Sequence, residues 1–175
     1  MSSTSRGSKR RLMDYYATPD WCVDALIRVT DADWTLDPCA GDGALIRGVQ
    51  RAGGEARGIE IQPKLCELGA DYNVSHGDGL AEDWTGERVI SNPPYSTSID
   101  WVIKGIRETE RCAFLLRLAY LAGQKRRLLL WEHHKPSKVC ILSRRPSFTG
   151  TGSDSADYAW FVWERGKNEA ELLWI

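Results

Sequence analysis

The sequence predicts an α/β protein built on a doubly wound, mostly parallel sheet. Short apolar segments alternate with longer segments whose apolar residues recur at helical spacing. Acidic residues close the first two apolar segments and follow the third, at the edge where an open parallel sheet binds its ligands. The candidate strands are residues 34–37, 56–60, 72–74, 88–90, 112–118, 139–142 and 158–163. The candidate helices are residues 19–30, 44–52, 63–70, 99–110 and 124–134.

Length and composition fit one globular domain. The chain has 175 residues, 42% of them hydrophobic, and we assign residues 14–175 to a single catalytic domain behind a flexible basic arm at residues 1–13. No run of about 18 apolar residues is present, and the Ser-rich, basic N-terminus lacks the apolar stretch of a secretory signal. Five scattered cysteines without CxxC pairs predict reduced thiols and no metal site. These features predict a cytoplasmic protein with no membrane partner.

The net charge of −1 hides a strong asymmetry along the chain. Residues 1–13 carry four basic and no acidic groups, and residues 14–103 carry 6 basic and 16 acidic groups. Residues 104–167 carry 13 basic and 6 acidic groups. An asymmetry of this kind predicts a polyanionic partner, and we expect nucleic acid.

The loop after the first strand candidate has the pattern of a cofactor-binding loop. Residues 37–43 bring two glycines to the N-terminus of the helix predicted over residues 44–52, where unpaired N–H groups face a ligand. The third glycine of the dinucleotide fingerprint is missing. Asp37 and Asp42 flank the loop, and their carboxylates would repel a pyrophosphate but suit a ligand with ammonium and sulfonium charges.

Two further acids follow the next strand candidates. Glu60 ends the second strand candidate at the spacing where a doubly wound fold binds ribose hydroxyls. Asp78 follows the third and could accept a hydrogen bond from an adenine amino group. Upstream, Thr18 is predicted to cap the first helix, with Pro19 in its first turn.

The segment Asn92-Pro93-Pro94-Tyr95 follows the strand candidate at residues 88–90. Neither proline donates a backbone hydrogen bond, and both fix φ, so the segment forms a rigid lip. Oδ1 of Asn92 and the Pro93 carbonyl could accept both N–H protons of a planar amine while Tyr95 stacks on its ring. A match of four residues alone is typical of a turn, and the cofactor pattern upstream is what favours the functional interpretation.

Together these motifs resemble those of class I S-adenosylmethionine-dependent methyltransferases, in the DNA adenine-N6 branch that carries an Asn-Pro-Pro-Tyr signature. The resemblance covers residues 14–165, with motifs in an order similar to the gamma arrangement and a tail similar to that of small phage and prophage enzymes. It implies a Rossmann-like sheet of seven strands with an antiparallel C-terminal strand, S-adenosylmethionine as cofactor, and methyl transfer to N6 of adenine in DNA. Asn92, Pro93, Pro94 and Tyr95 are the implied catalytic segment. The implied cofactor-binding residues are Tyr16, Thr18, Pro19, Asp37, Pro38, Cys39, Ala40, Gly41, Gly43, Glu60, Ile61, Asp78, Gly79 and Asn92.

One departure from the gamma arrangement concerns the recognition of DNA sequence. Residues 96–164 are needed to complete the sheet, which leaves no room for a separate target-recognition domain. Sequence would then be read by loops, chiefly residues 144–157 and 96–98, and we expect short or relaxed specificity. The expected DNA-binding residues are Arg10, Arg11, Lys125, Arg126, Arg127, Arg144 and Arg145.

Several alternatives remain open at this point. The same lip could bind adenine in RNA, or the amide nitrogen of glutamine in a protein, although a basic arm would then have no evident purpose. A catalytically silent DNA-binding relative is a further alternative, which an intact lip beside intact cofactor acids argues against. Cytosine-N4 enzymes more often have Ser in place of Asn92. A homodimer is possible, and the sequence does not decide the oligomeric state.

Overall fold

A single sheet of eight strands organises the computed structural model, which describes residues 17–148 and 154–175. The strands are β1 (Leu36–Asp37), β2 (Arg57–Glu60), β3 (Val74–His76), β4 (Arg88–Ser91), β5 (Arg111–Arg117), β6 (Lys138–Ile141), β7 (Tyr158–Glu164) and β8 (Glu171–Trp174). The sheet order is β3-β2-β1-β4-β5-β7-β6-β8, with parallel neighbours from β3 to β5 and β7 antiparallel to both β5 and β6. The predicted α/β fold with a mostly parallel sheet and an antiparallel C-terminal strand is confirmed.

Helices connect β1 to β2, β2 to β3 and β4 to β5, as is typical of a doubly wound sheet, whereas residues 77–87 connect β3 to β4 without a helix. Between β5 and β6 the chain forms a 3₁₀ turn (Leu118–Leu121) and then the short helix α5, which continues as a π-helix (Arg127–Trp131). A second 3₁₀ turn (Ala70–Tyr72) precedes β3. The α-helices are α1 (Asp20–Ile27), α2 (Ala44–Arg51), α3 (Pro63–Gly69), α4 (Ser98–Glu108) and α5 (Gln124–Arg126).

The eighth strand is the main difference from the prediction of seven. β8 pairs in parallel with β6, from Lys138 opposite Glu171 to Ile141 opposite Trp174. Leu173 packs against the core, whereas Leu172 and Trp174 lie on the other face and are exposed. Because Leu173 alone of the four residues is partly buried, the apolar pattern is too short to identify the strand, and backbone pairing with β6 defines it.

Several predicted element boundaries also differ from the structure; the first helix, predicted over residues 19–30, ends at Ile27. The third strand was predicted at residues 72–74 but begins at Val74, because Tyr72 ends a 3₁₀ turn and Asn73 has a φ of 62°. Thr18 was predicted to cap α1, but Pro19 occupies the N-cap position and no side chain caps the helix. The Thr18 hydroxyl is used elsewhere, in the site described below.

The two faces of the sheet carry two apolar clusters. The first lies under α1 and α2 and includes Trp34, Ile46 and Trp160. The second lies under α4 and the π-helix and includes Trp84 and Phe114. Alternate residues of the central strands enter opposite clusters, which explains why β5 and β7 are apolar almost throughout.

Three further observations concern the chemistry of the described chain. The five cysteines all lie within it and are free thiols. No helix in the described ranges is long and apolar enough to cross a membrane. Among the same residues, no group of three or more His, Cys, Asp or Glu side chains is placed to hold a metal ion.

Candidate functional site at the carboxyl edge of the sheet

The loop between β1 and α2 lies at the carboxyl edge of the sheet. Gly41 and Gly43 have φ values of 56° and 82°, in the left-handed region that favours glycine. Gly43 is the N-cap of α2, and the Ala44 N–H donates to Oδ1 of Asp42 at 3.2 Å. Asp42 also forms an ion pair with Arg47 at 3.3 Å. The Asp42 charge, expected to face a cationic ligand, is therefore already shared with Arg47 and the start of α2.

Asp37 joins this loop to the lip. Its carboxylate is 1% exposed and accepts hydrogen bonds from the Ser91 hydroxyl at 2.8 Å and the Cys39 N–H at 3.1 Å. Burial raises the pKa of Asp37 to about 7 despite the two hydrogen bonds, and the nearby Glu60 carboxylate adds to the increase. Because Ser91 precedes Asn92, Asp37 fixes the base of the lip against the loop.

Glu60 holds the same loop from the end of β2. Its two carboxylate oxygens accept from the Gly41 N–H at 2.8 Å and the Gln62 N–H at 2.7 Å. A carboxylate has about four lone-pair sites, so two donors do not exhaust its capacity, and hydroxyls of a ligand could share it. Ile61, the next residue, leaves 55% of its surface exposed and forms an apolar patch beside this carboxylate.

The loop after β3 packs directly on the loop after β1. A Cβ atom on Gly79 would lie 1.8 Å from the Pro38 carbonyl oxygen, so only glycine allows this approach. The Gly79 carbonyl accepts from the indole of Trp84 at 2.9 Å. Asp78 is exposed and accepts from the Leu80 N–H at 3.0 Å. Acceptors and an apolar side chain thus line adjacent strand ends, a set that fits the ribose and adenine of an adenosyl cofactor.

The lip contacts the segment that precedes α1. The side-chain amide of Asn92 donates from Nδ2 to the Thr18 hydroxyl at 3.0 Å. The Tyr95 hydroxyl donates to Oδ1 of Asn92 at 3.1 Å. Burial raises the pKa of the Tyr95 hydroxyl well above its usual value, so this group remains a donor. The structure therefore brings Thr18, Asn92 and Tyr95 together, with Pro19 and Pro93 adjacent in the chain.

Two residues beside the lip were missed in the sequence. The guanidinium of Arg117 lies 5.2 Å from the ring centroid of Tyr95, and the Tyr158 ring lies 5.8 Å from it at an angle of 45°. Arg117 ends an apolar strand. Glu60 and Asp78 were identified as acidic residues at the ends of strands, and a search for basic residues at the same positions would have found Arg117. Tyr158 is opposite Arg117 across the β5–β7 pair, which only the register of the sheet reveals.

Three of the predicted DNA-binding residues already have hydrogen-bond or ion-pair partners within the protein, and two others are exposed to solvent. Arg126 donates to backbone carbonyls, including those of Tyr120 at 2.7 Å and Ala119 at 3.4 Å. Arg127 pairs with Glu132 at 3.0 Å and Arg145 with Asp157 at 2.8 Å, both at exposed positions. Lys125 and Arg144 are exposed, and the Arg144 guanidinium lies 4.1 Å from the ring centroid of Trp21. Tyr16, Arg10 and Arg11 lie outside the described residues.

Comparison with solved structures identifies the fold. The methyltransferase subunit of a type I restriction-modification system from Streptococcus thermophilus matches with a TM-score of 0.71 and 17% identity, over 91% of this chain and 47% of that chain. The EcoKI M protein of a type I restriction enzyme matches with a TM-score of 0.66 and 15% identity, over 91% and 47%. An RNA methyltransferase from Salinibacter ruber, solved with S-adenosyl-L-homocysteine, matches with a TM-score of 0.58 and 15% identity, over 87% and 96%.

This chain has the fold of S-adenosylmethionine-dependent methyltransferases. It spans about half the length of the two restriction-system subunits. No protein-family model matches the sequence, and comparison with curated proteins finds no relative. At 15–17% identity the likeness concerns the fold, so substrate and residue roles must be argued from the site itself.

Proposed function

We propose that this protein transfers a methyl group from S-adenosylmethionine to N6 of adenine in DNA. The observation that carries the proposal is the position of Asn92. Its amide nitrogen is held by Thr18, while Oδ1 already accepts from a donor, the Tyr95 hydroxyl, at 3.1 Å. An adenine amino group can replace that donor. The restriction-system methyltransferases among the fold neighbours support DNA as the substrate.

The cofactor roles follow from the strand ends. Glu60 would accept from the ribose hydroxyls, Asp78 from the adenine amino group of the cofactor, and Ile61 would pack against its ring. The glycines of residues 38–43 let the loop backbone approach the methionine part. Bound S-adenosylmethionine supplies a methyl group on a sulfonium, so the protein contributes binding, orientation and electrostatics.

The lip would bind the target amine. Asn92 Oδ1 and the Pro93 carbonyl would accept hydrogen bonds from its two N–H groups and stabilise the positive charge that develops on nitrogen. As the N–CH3 bond forms, the S–CH3 bond breaks to leave S-adenosylhomocysteine, and one proton of the amine is lost to solvent. The adenine must leave the duplex stack to reach them, at a cost of a few kcal/mol. Stacking on Tyr95 would return about 1–3 kcal/mol of this cost.

Methyl transfer from labelled S-adenosylmethionine tests the proposal directly. Unmethylated duplex DNA, single-stranded DNA and RNA are each incubated with the protein and then digested to nucleosides. We expect N6-methyladenine from DNA, at sites that share a short sequence. N4-methylcytosine in DNA, or no label in any of the nucleic acids, would contradict the proposal.

The variant Asn92→Ala tests the proposed role of the lip. It removes the acceptor oxygen from the amine site, so we expect methyl transfer to fall by about 100-fold or more, as for other preorganised transition-state contacts. S-adenosylhomocysteine should bind it within a few-fold of wild type, measured by calorimetry. Equal losses of transfer and of cofactor binding would refute the role of Asn92 in binding the target amine.

RNA adenine is the second candidate substrate. The observation that favours it is the match to the Salinibacter RNA methyltransferase, of which this chain covers 96%. The lip chemistry is the same for both nucleic acids, so the experiment above decides between them. Label in RNA alone would keep the mechanism and change the substrate.

A further inference from the structure

Arg117 lies at the side of the lip that faces β5. It is the last residue of that strand, and β5 pairs with β4 up to Phe114 opposite Ser91. Its guanidinium carbon is 5.2 Å from the ring centroid of Tyr95. Nε donates to the Tyr158 hydroxyl at 3.4 Å. A cation is therefore held against the ring on which the target base is proposed to stack.

Most of the hydrogen-bonding capacity of Arg117 is unused. A guanidinium has five N–H donors, yet within residues 17–148 and 154–175 only Nε of Arg117 has an acceptor. No carboxylate in those ranges forms an ion pair with it, in contrast to Arg127 and Arg145. The hydrogen bond to Tyr158 raises the pKa of Arg117, so its charge is permanent.

We propose that Arg117 binds the phosphate next to the target nucleotide when the base stacks on Tyr95. This proposal rests on the proposed function, because it requires a nucleic acid at the lip. Nη1 and Nη2, which have no acceptor among the described residues, match phosphate oxygens in a bidentate geometry. A base that stacks on the face of the Tyr95 ring where the Arg117 guanidinium lies would displace that guanidinium. The phosphate beside the base would then pair with the displaced Arg117 side chain.

The test compares two substitutions that separate charge from packing. Arg117→Lys keeps the positive charge, and Arg117→Gln removes it while keeping a polar side chain. Arg107→Gln is the matched control, since Arg107 is an exposed arginine near the end of α4, at the opposite edge of the sheet. Affinity for an adenine-containing DNA oligonucleotide is measured on the full chain saturated with S-adenosylhomocysteine, at several salt concentrations.

A phosphate contact predicts a specific change in salt dependence. Arg117→Gln should weaken binding about tenfold and reduce the slope of log K against log salt by about one. Arg117→Lys should keep the wild-type slope, and Arg107→Gln should keep both slope and affinity. Saturation with S-adenosylhomocysteine shows in each case that the variant is folded.

Other outcomes would overturn either the role of Arg117 or the proposed DNA substrate, and the measurements distinguish the two. If both Arg117 variants lose affinity equally while the slope stays at the wild-type value, Arg117 only supports the Tyr95 ring. If the wild-type chain binds RNA and not DNA, the DNA substrate is refuted, and the slope measured on RNA decides the role of Arg117. If the wild-type chain binds neither, both proposals fail.

Discussion

Asn92 has hydrogen bonds at both ends of its side-chain amide, and each constrains its chemistry. The bond from Nδ2 to the Thr18 hydroxyl holds the nitrogen end of the amide beside the segment that precedes α1. The bond from Tyr95 satisfies that oxygen while no substrate is bound. Since a buried acceptor without a donor costs about 1–3 kcal/mol, the Tyr95 hydroxyl stabilises the free protein in the geometry that the proposed target amine would use.

This arrangement makes Tyr95 a residue with two separable parts. Tyr95→Phe removes the hydroxyl that competes with the target amine but keeps the ring, so we expect turnover within about threefold of wild type. Tyr95→Ala removes the stacking surface, and a stacked base is worth about 1–3 kcal/mol, so methyl transfer should fall roughly tenfold to one-hundredfold. Initial rates on a DNA substrate measure both.

The affinity for S-adenosylhomocysteine serves as the control for both Tyr95 variants and should not change. A Tyr95→Phe variant as inactive as Tyr95→Ala would mean that the hydroxyl, rather than the ring, carries the function. That result would contradict the stacking role assigned to Tyr95.

At the scale of elements, the cofactor site depends on how closely two loops approach. The loop after β3 meets the loop after β1 at Gly79 and Pro38, and the loop after β1 is held to β2 by Glu60. None of these contacts is local in sequence. A change in one strand-end loop should therefore alter the others.

The substitution Gly79→Ala tests this dependence. Its Cβ would lie 1.8 Å from the Pro38 carbonyl oxygen, a backbone atom that cannot move without moving the loop. We expect a loss of about 1–3 kcal/mol in the free energy of unfolding, with weaker S-adenosylhomocysteine binding. Urea denaturation and calorimetry measure the two effects.

Gly77→Ala is the matched control in the same loop. The nearest atom to its Cβ is a side-chain methyl carbon of Ile59 at 3.1 Å, which can yield by a few tenths of an ångström. We expect a clearly smaller loss of stability than for Gly79→Ala. Equal losses would indicate that the loop tolerates no side chain anywhere, and the contact with Pro38 would not be the cause.

At the scale of the whole molecule, Asp37 couples protonation to folding. Burial raises its pKa from 3.8 to about 7, so the folded chain binds a proton that the unfolded chain has already released between these values. The contribution of this group to stability is therefore greatest at low pH and is lost as pH rises from about 4 to about 7. Above pH 7 its contribution is constant.

The variant Asp37→Asn cannot ionise and should lack this dependence. We expect the free energy of unfolding of Asp37→Asn minus that of wild type to increase as the pH rises from 4 to 7, by at most about 1.4 kcal/mol per pH unit. Urea denaturation of both proteins at each pH measures the difference. Carboxylates that do not interact with Asp37 cancel in this comparison, including Glu87, whose pKa burial raises but hydrogen bonds to Thr35 and Arg57 lower further, so that the net change is downward. A difference that stays constant with pH would contradict the coupling.

The sequence by itself determined the alternation of strands and helices and the acids at strand ends. These features are local, because β5 is identified by its own continuous apolar run and the glycine turn by its own composition. The cofactor loop and the lip could thus be located as separate segments. The residues of these two segments could be identified from the sequence, but the contacts between the segments could not.

Only the tertiary structure decided which of these segments meet and how each side chain is used. Thr18 has the residue type of a helix cap, yet it binds Asn92, 74 positions away. Asp37 accepts a hydrogen bond from Ser91 on another strand, and Arg117 reaches Tyr95 through the pairing of β4 with β5. β8 depends on a register with β6 that its four residues do not encode. Burial and hydrogen-bond partners are properties of packing between distant segments, and local residue patterns do not fix them.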